Sequence, residues 1–375
     1  MTMSRLLFKN ILTILFLIIF FQGFACCETD DQPDDPAEAE KKPSIKKLNY
    51  YFGDLHQHTT LSDGDLDIEE AIKYIKEKKV LDFVAISDHS QYFDFPDEWG
   101  KSQNWKKVQE TTAKYNEDGV FIALPSFEWS KNSETGTGGK GHINVYNTSW
   151  WATANQEVMS LENFYQKLVG SPGALAMFNH PSKTNFKNFG FYNTSIDERM
   201  VLFEIATRSG RPTFVPRFEN YVYALDKGWR LAPADNTDTH KGFWWAENCF
   251  GRTAVIATEL SREAIYEALR NRQAYATYDK NLKINFAANG EIMGAILKKP
   301  KKLNILIEIE DPDSQDKINR IDIITEGGLV AHSKEFSSNI VKWELEADPA
   351  KRYYFLRIVQ ADNDLAFSSP IWTGQ

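Results

Sequence analysis

The chain predicts an α/β protein: strands and helices alternate in βα units that close into a barrel, and a small all-β module follows. Three observations carry this reading. From Tyr50 to Arg272, short apolar runs alternate with segments whose apolar residues recur at helical spacing, the pattern of a parallel sheet covered by helices. Residues with metal-binding side chains recur at or just after the ends of the apolar runs, and in a closed βα barrel those ends meet at one face. After Tyr278 the helical spacing stops and hairpin signals take over.

In chain order, Arg5 and Lys9 precede an almost wholly apolar run from Ile11 to Phe21, and Gly23-Phe24-Ala25-Cys26-Cys27 follows. A charged start, an apolar middle and a small-residue site form an export signal. Residues 1–27 resemble a bacterial lipoprotein signal, with Cys26 or Cys27 as the lipidated residue and Phe24 as a departure from the usual box. The expected location is therefore outside the inner membrane, anchored by lipid at a periplasmic or cell-surface face. An ordinary signal peptide is the second reading. An uncleaved anchor ranks last, because the run is short for a spanning helix. Residues 28–47 are acidic, then Lys-rich, with Pro33, Pro36 and Pro43, the composition of a disordered tether. Three cysteines make no disulfide framework. A net charge of −9 leaves no electrostatic footprint for nucleic acid.

The body, 48–280, opens with a strand over Tyr50–Leu55. Asp67 reads as an N-cap, and Ile68, Ala71, Ile72 and Ile75 predict a helix over 68–79. Phe83 to Ser87 is a continuous apolar run, as in a buried parallel strand. A helix over 101–117 leads to a strand at 120–124, and a Gly/Ser/Thr/Asn-rich loop at 131–141 precedes a strand at His142. A helix near 160–169 leads to strands at 174–178 and 201–205. Tyr221, Val222 and Leu225 give a short helix stopped at Gly228. Strands at 231–234 and 253–257 and a helix over 261–272 complete this part. In the module, 281–375, strands are expected at 282–288, 303–309, 321–325, 341–345 and 353–359, with Asn289-Gly290 as a hairpin turn. The module contains His332 and no metal-like cluster, so its expected work is structural.

The chemistry-bearing residues are unevenly distributed. The chain has seven histidines. Six of them, His56, His58, His89, His142, His180 and His240, lie in short segments where an apolar run ends at or leads through the histidine. His56 and His58 are one residue apart after a strand, which puts both imidazoles on one side of the chain. Asp63, Glu128 and Asp238 occupy the same kind of segment, and Asp235 competes with Asp238 near the last one. One such histidine is ordinarily a core residue with a hydrogen-bond partner; six, joined by three carboxylates, predict a metal centre. Asp54 and Asp88 read as partners behind the histidines or as strand-end caps.

These segments, in this order, resemble the polymerase and histidinol phosphatase (PHP) superfamily over roughly residues 50–278. The carriers are H-x-H-T-x-x-S-D-G (His56, His58, Asp63), the Asp88-His89 pair, Glu128, His142, His180 and the closing D-x-H (Asp238, His240). Tyr51 to His56 and Asn271 to Thr277 are similar to a secreted branch that includes carbamate-hydrolase-like proteins. The resemblance implies a distorted (β/α)7 barrel holding two or three divalent metals, zinc, manganese or iron. It implies one metal on His56, His58, Glu128 and Asp238, a second sharing Glu128 with His142 and His180, and a third on Asp63, His89 and His240. Some relatives carry histidine where this chain has Asp63, and a carboxylate there shifts preference from zinc toward manganese or iron.

Such a cluster lowers the pKa of bound water to about 7, and two metals about 3.5–4 Å apart hold both oxygens of a phosphoryl transfer. Phosphoester hydrolysis is the first reading, with Glu128, Asp238 and Asp63 as the reaction's carboxylates. Hydrolysis of a small carbamate, ester or amide is the second. A non-catalytic metal- or glycan-binding surface lipoprotein is the third. Lys140, Lys183, Arg208 and Arg211 lie in loops near the segments and are candidate substrate contacts. Trp129, Trp244 and Trp245 either line a pocket or pack in the core.

Overall fold

The computed structural model describes residues 48–93, 102–132, 140–154, 160–207, 216–241 and 251–374, all within one compact unit. The expected signal and tether, together with Arg208, Arg211, Trp244 and Trp245, lie outside the described residues. Among the described residues no helix is long and apolar enough to cross a membrane.

The fold is mixed α/β and rich in sheet. Its first part runs β1 (Asn49–Asp54), α1 (Ile68–Lys78), β2 (Phe83–Ile86), α2 (Gln103–Tyr115), β3 (Ile122–Lys131), β4 (Gly141–Tyr146), α3 (Leu161–Val169) and β5 (Leu175–Asn179). It continues with α4 (Asn185–Phe189), α5 (Thr194–Asp197), β6 (Met200–Thr207), α6 (Phe218–Asp226), β7 (Ala232–Asn236), β8 (Arg252–Ala257), α7 (Arg262–Arg270) and β9 (Ala274–Thr277). The main helices begin where a short polar side chain satisfies a free backbone N–H. Asp67 accepts from the amide of Glu69, Ser102 from Trp105, Ser160 from Asn163 and Ser261 from Ala264. Each then buries one apolar face, as α1 does with Ile68, Ala71, Ile72 and Ile75.

Strands β1 to β7 are hydrogen-bonded in chain order. Beyond the end of β1, Gln57 bridges in parallel to Thr239, just past β7, so the ends of the first and last of these strands meet. Side chains alternate between two layers. Leu55, Phe83, Leu124, Met177, Leu202 and Ala234 form one cluster, while Val84, Ala123, Phe178 and Phe203 face the helices in another. Gly53 allows β1 to approach β2 closely, because a Cβ there would lie 2.3 Å from the Phe83 ring.

The expected parallel sheet is corrected at more than one strand. β4 pairs antiparallel with both β3 and β5. The link from β3 to β4 is too short for a crossover helix, and a chain that returns at once must pair antiparallel. β3 is also longer than expected, so Glu128 lies within it rather than past its end. β8 and β9 are antiparallel as well, and β8 flanks β1 on its outer side.

The later strands are β10 (Lys283–Ala288), β11 (Glu291–Ile292), β12 (Leu303–Glu310), β13 (Ile318–Ile324), β14 (Val330–Ser338), β15 (Ile340–Ala347), β16 (Tyr353–Gln360), β17 (Leu365–Ser368) and β18 (Ile371–Trp372). Asn289 and Gly290 turn β10 into β11, both at positive φ, as that turn requires. One sheet runs β11-β10-β12-β15; the other strands extend the large sheet through β17, which pairs with β9. Apolar residues of the two sheets share a core that also takes in Ala254, Ile256 and Tyr275. Asp226 at the end of α6 accepts from Arg352 Nη2 at 3.1 Å, Tyr353 Oη at 2.8 Å and the amide of Gly327 at 3.0 Å.

Candidate metal centre

The nine residues singled out by sequence come together above the apolar layer inside β1 to β7. Glu128 is the hub, and it is fully buried. Its Oε1 lies 3.1 Å from His142 Nδ1, 3.5 Å from His56 Nε2 and 3.8 Å from His180 Nε2. Its Oε2 lies 2.5 Å from His89 Nδ1 and 3.7 Å from His58 Nε2. Asp238 Oδ1 is 3.1 Å from His58 Nε2 and 3.3 Å from His56 Nε2. Asp63 is more exposed and meets His240 Nε2 at 3.3 Å and His89 Nε2 at 3.8 Å.

The residues form four overlapping groups with ligand atoms within 4.8 Å of one another: His58, Asp63, His89 and His240; His56, His58 and Glu128; His56, His180 and Asp238; and His89, Glu128 and His142. These proximity groups overlap the sets that the resemblance implies and also cross them. His58 joins the Asp63 set, His180 sits with His56 and Asp238, and His142 sits with His89. On the sheet, β4 and β5 are antiparallel neighbours, and His142 is opposite Asn179.

The donor set fits divalent cations. Nε2 of His56 and Nε2 of His58 face each other at 3.2 Å, with carboxylate oxygens of Asp238 and Glu128 around them. Buried Glu128 Oε2 makes no hydrogen bond of good angle. Among the described residues, imidazole nitrogens and carboxylate oxygens converge without thiolate, a donor set suited to divalent metals.

Electrostatics sort the histidines. Burial works against charge on His56, but Asp238, Glu204 and Glu128 outweigh it and hold that imidazole well above its ordinary pKa. Burial takes His58 well below the ordinary value, and its neighbours His56, His89 and His240 push the same way. His180 is lowered by burial. Burial opposes ionisation of Glu128, yet His56 and His142 hold it well below the usual carboxylate range. Burial raises Asp238.

The supporting residues were only partly anticipated. Glu204 on β6 is buried and was missed. It accepts from His56 Nδ1 at 2.9 Å, from the amide of His180 at 2.7 Å, from Thr207 Oγ1 at 2.8 Å and from Asn236 Nδ2 at 3.1 Å. Burial opposes its ionisation, but His56 and His180 bring its pKa down to about 2. The available signal was a lone carboxylate inside the apolar run Met200 to Ala206. Asn179 was also missed; its Nδ2 donates to Glu128 Oε1 and Asn144 Oδ1, both at 2.7 Å. Asp54 and Asp88 act as caps. Asp54 accepts from the amides of His56 and Thr237, and Asp88 from Thr59 and Ser62. Two candidate ligands, His180 and Asp238, adopt positive φ, 30° and 51°, where non-glycine backbone is strained. The amide of Asp238 is tied to the carbonyl of His56 at 2.9 Å.

A cavity of about 120 Å³ opens beside the centre, lined by Lys131, Asn132, Lys140, Gly141, His142, Asn179, His180 and Asn185. Lys140 thus reaches the site region as anticipated, and Lys131 was missed. Lys183 instead forms an exposed ion pair with Glu219 at 3.2 Å. Trp129 is buried and stacks on Phe164 at 4.6 Å, so it packs the core.

No family model matches the chain. An uncharacterized protein of Chlamydia pneumoniae is 26% identical over 366 residues, covering 86% of this chain and 57% of its own length. One from Chlamydia muridarum is 25% identical over 363 residues with the same coverage. The chain spans little more than half the length of these curated relatives. Among solved structures, it is similar to a two-domain protein from Bacteroides vulgatus that contains a predicted PHP-like metal-dependent phosphoesterase. The identity is 15%, the coverage 83% of this chain and 90% of that one, and the TM-score 0.46.

Proposed function

We propose that the chain is a metal-dependent hydrolase of small phosphoesters, built on a distorted (β/α)7 barrel with two or three divalent transition metals. The convergence of six histidines, Asp63, Glu128 and Asp238 around one buried carboxylate carries the reading. His56, His58, Asp238 and His180 would hold cations on one side of Glu128, and Asp63, His89, His240 and His142 on the other, with Glu128 shared. Bound there, such cations polarise a phosphoryl oxygen and lower the pKa of water to about 7.

The chain's own groups do the rest. Glu128 places its negative charge between the two ligand sets and offsets repulsion between cations. Glu204 holds His56 by Nδ1 and so fixes the direction in which Nε2 points. Lys131 and Lys140 line the adjacent cavity, and an ammonium is a strong point contact for a phosphate oxygen. That pair favours an anionic phosphoester over a neutral carbamate or carboxylic ester.

The test is turnover of nitrophenyl phosphate, acetate and carbamate by the chain loaded with manganese, zinc or iron in turn. The phosphate should be the best substrate. Lys131→Ala and Lys140→Ala should each raise its KM several-fold while leaving kcat within about twofold. Protein carrying two equivalents of metal that releases no nitrophenol from any of the three would end the hydrolase reading. Equal loss on phosphate and acetate in the lysine variants would end the anionic-substrate reading.

A further inference from the structure

The stretch between the candidate ligand His180 and α5 holds the longest run of positive φ among the described residues. Phe186, Lys187, Asn188 and Phe189 of α4 have φ of 55°, 54°, 57° and 57°, and the first three have ψ of 39°, 46° and 43°. α4 is therefore a left-handed turn, and it is built without glycine. Other L-residues visit this region singly, because Cβ crowds the following carbonyl oxygen. A run of them persists only where the surrounding contacts impose it.

Those contacts are on the page. The buried rings of Phe186 and Phe189 lie 4.5 Å and 5.1 Å from Phe178, and Trp229 Nε1 donates to the Phe189 carbonyl at 3.0 Å. Lys187 and Asn188, between the two rings, are exposed. The near end of the turn meets the cavity beside the histidines. The Phe186 amide donates to the Lys140 carbonyl at 2.8 Å, and Asn185 Nδ2 approaches the same carbonyl at 3.4 Å. Asn185 is itself held, since its Oδ1 accepts from the Ser182 amide at 2.6 Å. The Phe186 ring lies against Gly141, where a Cβ would sit 2.2 Å from it. Gly141 has a φ of 147°, which glycine adopts without strain. Lys140, Gly141 and Asn185 all line the cavity.

We infer that the left-handed turn is a clamp that positions Lys140 for the substrate's anionic group, with Phe186 as its positioning residue. The inference rests on the reading of the cavity as an anion-binding pocket. Lys131 takes its hold from the β3–β4 ladder, where it is paired with Gly141. Lys140 lies one residue beyond that ladder and takes its hold from the turn instead. A lysine side chain loses much rotamer freedom when a ligand fixes it. A backbone already anchored by the Phe186 amide lowers the ordering that binding must impose. The left-handed winding lets Phe186 bury its ring and aim its N–H at Lys140 together.

The experiment compares Asn188→Gly with Asn188→Val in the full chain. Both remove the same exposed side chain, but glycine enters the left-handed region freely and β-branched valine is excluded from it. Hydrogen exchange at the Phe186 amide, read by mass spectrometry without substrate, should be roughly tenfold faster in Asn188→Val than in Asn188→Gly. With metal loaded, Asn188→Gly should match wild type. Asn188→Val should raise KM for nitrophenyl phosphate about threefold or more, with kcat within about twofold and metal content unchanged. If Asn188→Val fails to fold, Asn188→Ala strains the turn less and is read in the same way. Equal exchange in the glycine and valine variants would overturn the clamp whatever the kinetics. Faster exchange with an unchanged KM, where Lys140→Ala does raise KM, would make the turn purely structural and overturn the positioning role. An unchanged KM in Lys140→Ala would instead bring down the anion-binding reading, and the inference with it.

Discussion

Glu204 Oε1 lies 2.9 Å from Nδ1 of His56, and both side chains are fully buried. Held at Nδ1 in this way, His56 directs Nε2 toward Asp238 and His58. The other oxygen of Glu204 receives the amide of His180, which supports a residue held at positive φ. One carboxylate therefore orients the ring of one candidate ligand and braces the backbone of another.

Glu204→Gln should preserve the shape and lose the charge. Losing a partner of this kind typically weakens metal binding 10–100-fold. A competition titration with a chromogenic chelator reads the affinity, and circular dichroism checks that the fold is retained. Unchanged affinity in a folded variant would remove Glu204 from the account of the site.

Glu128→Gln should be more damaging than loss of any single histidine. Glu128 contacts five imidazoles, and a carboxylate can give one oxygen to each of two cations. At least one metal should be lost. Turnover on the working model substrate should fall roughly a hundredfold or more, on the order of 3 kcal/mol. His332→Ala, on β14 far along the sheet, should change neither metal content nor rate. Full metal and near-normal turnover in Glu128→Gln would refute the bridging role.

Asp226→Ala should loosen the later strands from α6. The change leaves the hydroxyl of buried Tyr353 and the Arg352 guanidinium without that acceptor. The Tyr353 hydroxyl, left as an unsatisfied buried donor, costs about 1–3 kcal/mol, while the partly exposed Arg352 keeps Glu326 and water. Urea unfolding should show a midpoint lowered accordingly, with metal content unchanged. A midpoint equal to wild type would mean that this contact contributes nothing net.

The candidate ligands were legible because their residue types are scarce. Six of seven histidines occupy the same kind of segment, an apolar run meeting a polar end, and ordinary core packing has no use for that repetition. The helices were legible for a similar local reason: a capping side chain and helical spacing lie within a few residues of each other, as at Asp67 and α1. Glu204 was hard to see because a charge within a strand reads locally as an exposed position. Its burial follows from facing the same side as Leu202, which register decides. Lys131 and Lys183 look equivalent in sequence, yet one lines the cavity and the other pairs with Glu219.

The sequence by itself determined which side chains are the candidate ligands, where the main helices begin, and that the chain changes character near residue 280. These are local properties, set by residue type and by spacing over a few positions. Only the tertiary structure decided that β4 runs antiparallel, that His180 groups with His56 and Asp238, and that Phe186 meets Lys140 and Gly141. Those outcomes depend on strand direction, register and the closure of distant segments. They are fixed by how apolar faces are buried across the whole molecule, and no short stretch of sequence encodes that balance.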